Sequence, residues 1–513
     1  MTVDVVISGG GPNGLMLACE LGLAGVRPMV LEELTEPSAE PKANGLLGQV
    51  VRLIDRRGLH ERLGGGPRPP RANSAYFMFG ALGLDLSLLD ESPLFGLAVP
   101  QRRIVEVLEE RALELGAEIR RGHRVTGLAQ DAGAVSVDVD GPEGGYRLRA
   151  RYLVGADGAH SVTRKLSGIG FPGVTHDRST LRSAHVSLPA DWIDAASGAL
   201  NVPGHGPVRP FLPHRTERGG FSYAPLPGHP PLISTTEWDG PGGEDPMTLG
   251  ELRASVGRVL GADVPIGPPE GAGPHALRRL HGGNTRLAER FRDGRVFLIG
   301  DAAHIFASGG GPGLNLGLQD AVNLGWKLAA AVGGTAPAGL LDTYEPERRR
   351  AAGRMVMNAR AQSALIAPGA EVTGLRELFG ELLTDPGTVR RLAELTAGAD
   401  VRYDMGDEGA HPLVGTFAPD LEPPASGGTA RPAEHSATGR PLLIDLTEDG
   451  SAAAAMASAD GRVEVVAGGA VGGQAFTAML VRPDSYVAWA SSSPRPGEAE
   501  LKALRAAVER WFG

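Results

Sequence analysis

The stretch from Val3 to Glu32 constrains this chain more than any other. Val3–Ile7 is a short β-branched apolar run of the kind that forms a strand buried on both faces. It leads straight into Gly9-Gly10-Gly11-Pro12-Asn13-Gly14, then an apolar helical stretch from Leu15 to Ala24. A second apolar segment, Val26–Leu31, ends at Glu32, close to the spacing of about 20 residues that separates glycines and acid in dinucleotide sites. Each part has a job. Gly9 permits the tight turn, Gly11 lets backbone approach a pyrophosphate, and Gly14 lets helix and strand pack closely. The helix start offers unpaired N–H groups to an anion, and Glu32 can accept from ribose hydroxyls. In a glycine-rich chain a bare GxGxxG can be a tight turn alone. The flanking strand, helix and acid point instead to a bound dinucleotide.

Composition removes several other classes. The 513 residues predict two to four domains, at a prior of about 150 residues each. The net charge of −10 leaves no electrostatic footprint for nucleic acid. Gly (75) and Pro (40) are abundant but stay below the level, roughly 25–30%, that marks low complexity. The one cysteine excludes a disulfide framework and Cys-cluster metal or iron–sulfur sites, and no metal site is expected. No apolar run reaches the roughly 18–20 residues of a membrane helix, and the start is not a signal peptide. A cytoplasmic protein with no membrane partner is expected.

Further along, Pro100-Gln101-Arg102-Arg103 opens a helical pattern, and Tyr152–Gly155 runs as an apolar strand into Asp157-Gly158-Ala159-His160-Ser161-Val162-Thr163-Arg164. Residues 175–280 alternate strand-like pieces (Leu181–Leu188, Gly220–Tyr223) with Pro/Gly turns and a helix at Leu249–Leu260. Arg295–Asp301 repeats the buried-strand signal. A glycine loop at Gly309–Gly313 follows, then an apolar-faced helix through Leu318, Ala321, Val322, Gly325 and Leu328. A long helix is expected over Tyr344–Ile366. Past Asp400 come short strands near Leu442–Ile444 and Val463–Val466, and a terminal helix ending at Trp511.

Three motifs in this order, GGGPNG (Gly9–Gly14), DGAHSVTR (Asp157–Arg164) and GDAAH (Gly300–His304) with GGGPGLN (Gly309–Asn315), resemble the group A flavoprotein monooxygenases. This is the para-hydroxybenzoate hydroxylase family, and more narrowly the chain resembles its aromatic polyketide hydroxylases and rifampicin monooxygenases. The resemblance implies an α/β fold. A Rossmann-type (GR2-type) FAD-binding domain would occupy residues 1–174 and 281–399, with an inserted β-sheet cap at 175–280 and a thioredoxin-like C-terminal domain at 400–513. With a single cysteine in the chain, that last domain lacks CxxC.

Carried over residue by residue, the resemblance places FAD on Gly9, Gly11, Pro12, Asn13, Gly14 and Glu32. It adds Lys42 on a flavin loop, Gln101 and Arg102 near the ribityl–adenosine region, and Asp157, Gly158, Ser161 and Arg164 for FAD and pyridine nucleotide. Gly300 and Asp301 belong to the ribityl chain, and Gly311, Pro312, Gly313, Leu314 and Asn315 to the flavin ring. The implied reaction uses FAD, NADPH or NADH, and O2. A flavin C4a-hydroperoxide hydroxylates a polycyclic aromatic polyketide, and most of the chemistry is the cofactor's. A homodimer stays open.

The loop departs from the family's Pro-Pro-Thr-Gly-Gly-Gln-Gly, reading Ala307-Ser308-Gly309-Gly310-Gly311-Pro312-Gly313, and Lys42 stands where relatives carry Arg. Baeyer–Villiger oxidation, epoxidation or redox chemistry without oxygen transfer therefore stand as alternatives. No protein catalytic group is evident. His304 reads either as a proton relay or as a histidine fixing its turn, and Tyr223, with Phe211, Phe221 and Phe306, as pocket lining or core. Asp157 and Arg164 read as cofactor ligands or as a structural ion pair. Cys19 reads as buried.

Overall fold

The computed structural model describes residues 2–38, 43–66, 69–175, 178–225, 230–240, 243, 245–270, 277–307, 312–406, 411–420, 431–456, 461–468 and 475–513. Lys42 and Ser308–Gly311 lie outside them.

The first strand, Thr2–Ser8, pairs in parallel with Met29–Glu32 on one side and Gly144–Gly155 on the other. Val5, Val6 and Ile7 are fully buried, as an apolar run inside a parallel sheet requires. Glu118–Arg121 and Val296–Leu298 extend the sheet at either side, giving a mixed eight-stranded layer. Helix α1 (Pro12–Leu23) lies against it. Helix α2 (Gln49–Arg56), helix α3 (Gln101–Glu114) and the short α4 (Val162–Leu166) follow along the chain.

Between the strands Gly144–Gly155 and Val296–Leu298 the chain builds a second layer. Five antiparallel strands run in the order His214–Thr216, Gly219–Ala224, Leu232–Trp238, Ser179–His185, Arg278–His281. Helix α5 (Leu249–Leu260) covers one face. The Thr248 hydroxyl caps it by accepting from Glu251 N–H, and Gly261 ends it in the left-handed region at φ 69°. Phe221, Tyr223, Ile233, Leu252, Val256 and Val259 form a separate apolar core under α5.

The chain returns through Asn284–Leu287, which pairs with both Gly173–Thr175 and His304–Ile305. It then enters α6 (Pro312–Gly333) and α7 (Tyr344–Ile366). The C-terminal region carries a four-stranded sheet, ordered Glu464–Ala467, Leu442–Asp445, Ala478–Val481, Val487–Ser491, and a closing helix, Glu498–Phe512. Its apolar residues (Leu443, Leu480, Val487, Trp511) are continuous with the core around α1 and α6. Among the described residues no helix is long and apolar enough to cross a membrane.

Candidate active site

The turn after the first strand is shaped by close approach. Gly9 has φ 111°, and a Cβ there would lie 2.4 Å from the Ala156 carbonyl oxygen; one on Gly14 would lie 2.1 Å from the Gly9 oxygen. At Gly11 a Cβ would meet nothing within 4 Å, so this position faces open space at the start of α1. No side chain caps that helix, and Pro12 occupies its first turn. The Glu32 carboxylate sits under the turn, accepting from Gly10 N–H at 2.6 Å and Leu34 N–H at 2.9 Å. The donors of an uncapped helix, an open glycine and a carboxylate at the second strand's end are thereby gathered as a dinucleotide requires.

Asn13 links this turn to the next motif. Its amide wedges between Gly300 and Gly317, where a Cβ on either would approach Nδ2 within 2.4 Å, and its Oδ1 is buried without a hydrogen-bond partner among the described residues. Gly300 itself lies at φ 59°. Asp301 follows, exposed, with its Oδ1 beside Gly313 on the first turn of α6. Leu314 is half-buried there, while the nearly buried Asn315 accepts from Leu47 N–H at 3.1 Å, tying α6 to the strand Gly45–Leu47. That strand pairs with Gly96–Ala98, just ahead of Gln101, whose N–H donates to Ala43 O. These residues fit FAD. The donors suit a pyrophosphate and the carboxylates suit ribose and ribityl hydroxyls. The glycines leave room, and the orphaned Asn13 oxygen marks a polar position still to be satisfied.

The other proposed ligands divide. Arg102 is largely exposed and pairs with Glu106 one turn along α3. Asp157 accepts from Ser161 Oγ at 2.5 Å and from Thr163 N–H and Oγ1 at 2.9 Å, so it shapes the start of α4. Gly158 takes the turn at φ 76°. Arg164 does not pair with Asp157, which corrects the ion-pair reading. It is buried, donating to Ala302 O at 2.9 Å and Ala159 O at 3.0 Å, with its guanidinium 3.8 Å from the Phe171 ring centroid. The second motif therefore braces the third.

His304 is not placed as a relay. It is fully buried, its Nε2 is 2.6 Å from Asp320 Oδ2, and its ring stacks on Phe306. Asp320 also accepts from Gly300 N–H (3.0 Å) and Arg348 Nε (2.6 Å). Burial would push the Asp320 carboxyl up, but Arg348 and His304 hold it below the usual carboxylate range. Sequence reasoning missed Asp320 and Arg348; polar positions on helices read as solvated faces.

Of the two readings of Tyr223 and Phe221, core rather than pocket lining is the one the structure bears out. Both lie in the closed core under α5, and burial raises the Tyr223 phenol. Because strand side chains alternate, the opposite face of that sheet carries Leu181, Ser183, His185, Ser222, Ser234 and Thr236. All of these but Ser183 are only half-buried. This face turns toward the end of α7: a Cβ on Gly220 would meet Ile366, and Arg215 donates to Ala367 O and Gly369 O.

Comparison with known proteins agrees with this geometry. Residues 2–359 match the FAD binding domain family, and residues 411–513 match the family described as aromatic-ring hydroxylase, C-terminal. The chain belongs to the FAD-dependent aromatic-ring hydroxylases, and is a flavoprotein monooxygenase. It is 44% identical to a 12-dehydrotetracycline 5-monooxygenase/anhydrotetracycline 6-monooxygenase of Streptomyces rimosus, over 100% of this chain and 99% of that one. It is 38% identical to a rifampicin monooxygenase of Streptomyces venezuelae, over 99% and 98%. The solved structure of OxyS anhydrotetracycline hydroxylase from Streptomyces rimosus superposes with a TM-score of 0.84, at 42% identity over 100% and 99% of the two chains.

Proposed function

We propose that the protein hydroxylates a polycyclic aromatic polyketide, with the substrate held against the half-buried cap face that carries Leu181, Ser222, Ser234 and Thr236. That face is the observation that carries the reading. In a cap whose other face is sealed by α5, it is the side left half-open, and it mixes apolar and hydroxyl-bearing side chains as a flat phenolic ligand requires. The substrate class rests on the resemblance to the anhydrotetracycline and rifampicin monooxygenases.

FAD, when bound, supplies electron transfer from NAD(P)H and activation of O2. The chain's own residues bind and shape. Gly9, Gly11 and Gly14, with the start of α1, would take the pyrophosphate, and Glu32 the adenosine ribose. Asn13 and Asp301 would take the ribityl region. The first turn of α6, from Pro312, would present the positive end of a long helix to the flavin's pyrimidine edge, favouring negative charge there. Gln101 and Arg102 are proposed only as neighbours of this cofactor. Arg164 acts through Ala302, holding the Gly300–Asp301 turn. The C-terminal sheet, with one parallel and two antiparallel pairings and a closing helix, supports a thioredoxin-like arrangement without thiol chemistry.

The test uses purified holoprotein, NADPH or NADH, 18O2 and anhydrotetracycline or rifampicin as probe. One 18O atom in the product and faster NAD(P)H oxidation are expected, and Ser222→Trp, which fills the half-open face, should abolish the acceleration while FAD stays bound. Turnover without label would overturn hydroxylation in favour of redox chemistry without oxygen transfer. Label inserted beside a carbonyl would identify Baeyer–Villiger oxidation.

A further inference from the structure

Asp320 is the hub of a buried array running from the FAD turn to the C-terminal region. One of its oxygens accepts from Gly300 N–H and contacts His304; the other accepts from Arg348 Nε. Arg348, fully buried on α7, also donates to Leu316 O at 3.0 Å and to the Tyr403 hydroxyl at 2.7 Å. The Tyr403 ring stacks on Tyr486, with centroids 3.9 Å apart. Every link is out of water. A carboxylate at such depth keeps its charge only while a cation faces it, and a buried guanidinium needs an acceptor for each N–H. Loss of the Tyr403 acceptor leaves Arg348 held by Asp320 and Leu316 O alone, and loss of Arg348 leaves Asp320 a buried carboxylate held only through the oxygen that faces Gly300 and His304.

We propose that Arg348 and Tyr403 are positioning residues that hold the Gly300–Asp301 turn in its FAD-competent shape, so that the C-terminal region sets FAD affinity. This rests on the placement of FAD at that turn. Neither side chain touches the cofactor positions; Tyr403 acts through Arg348, and Arg348 through Asp320 and the Leu316 carbonyl of α6. A second tie of the C-terminal region serves as the comparison. Asp420 pairs with Arg52 and Arg56 of α2 at 2.9 and 2.8 Å, with no hydrogen bond to the array; the two meet only through the Phe417 ring, which lies under both guanidiniums and edge-on to Tyr486. Coupling of this kind is reciprocal, so FAD should also protect the Tyr403 and Tyr486 segments from hydrogen exchange.

The experiment titrates FAD into apoprotein by fluorescence quenching for wild type, Tyr403→Phe, Arg348→Lys and Asp420→Asn, with the apoprotein melting temperature measured beside it. Tyr403→Phe and Arg348→Lys should each raise the FAD Kd about tenfold, as for a turn that is competent about a tenth of the time. Asp420→Asn should lower the melting temperature and leave Kd within twofold. If Tyr403→Phe fails to fold, Arg348→Lys, which keeps the charge and loses the fork, carries the test. Unchanged Kd in both array variants, or an equal rise in Asp420→Asn, would overturn the positioning role. Wild-type protein that binds no FAD would overturn the placement beneath it.

Discussion

The cap and the C-terminal region each add a sheet and a covering helix to the FAD-binding domain, but they are attached differently. The cap closes an apolar core on itself, and its buried charges pair internally: Arg182 with Glu237 and Glu251, Arg258 with Glu237, Arg279 with Glu251. The C-terminal region shares one core with the FAD domain, and its buried charges point outward to it. Arg482 pairs with Glu347 of α7, and Asp484 accepts from Asn323 of α6, beside the buried Lys327. Damage in the cap should stay local. Damage in the C-terminal region should spread.

The largest expected effect breaks the second attachment. Arg482→Ala leaves Glu347 and Asp484 buried and short of their partner, at a cost of about 3–5 kcal/mol. Calorimetry should show the FAD domain and C-terminal region melting earlier together; a shift confined to the C-terminal region would break the comparison. Next, Leu252→Ala removes a fully buried side chain from the cap core, for about 2–5 kcal/mol. Hydrogen exchange should rise over residues 179–281 alone, with FAD affinity unchanged.

Acid should separate the two attachments more gently. Hydrogen bonding from Arg279, then from Arg182, draws the Glu251 carboxyl from 4.5 down to about 2. A depressed carboxyl contributes stability above its unfolded pKa, lost as pH falls toward its folded one, here between about 4.5 and 2. Burial would push Glu347 up, yet Arg482 and Lys327 hold it lower still. On acidification both losses begin below about 4.5, but the cap's is complete near 2 while that of the C-terminal strands continues, so the cap's exchange protection should level off first; the opposite order would refute the assignment.

Much of the frame was legible because short-range patterns carried it. The glycine turn, Glu32 and the helices at Leu249–Leu260 and Tyr344–Ile366 each follow from local periodicity or spacing, and lie where that reading put them. What escaped is set by long-range pairing. Asp320, Asn323 and Lys327 share one face of α6 at helical spacing, which in sequence looks like a solvated stripe. Glu347 and Arg348 of α7 and the Arg482–Asp484 turn, packed against it, make that face interior. The cap shows the same limit. Phe221 and Tyr223 alternate as a buried strand should, but alternation does not say which face is covered, and α5 took theirs.

Cys19, the chain's lone cysteine, lies inside α1 almost wholly covered, its Sγ 3.4 Å from Leu108 O, and burial holds its thiol far above the pH where thiolates form. The protein thus comes ready-made for single-site labelling. A thiol introduced on the exposed side of α5, at Ala254 for instance, and a second on the terminal helix would be the sole reactive pair. Spin or fluorophore distances between them would follow the cap against its base through turnover, without first deleting a native cysteine.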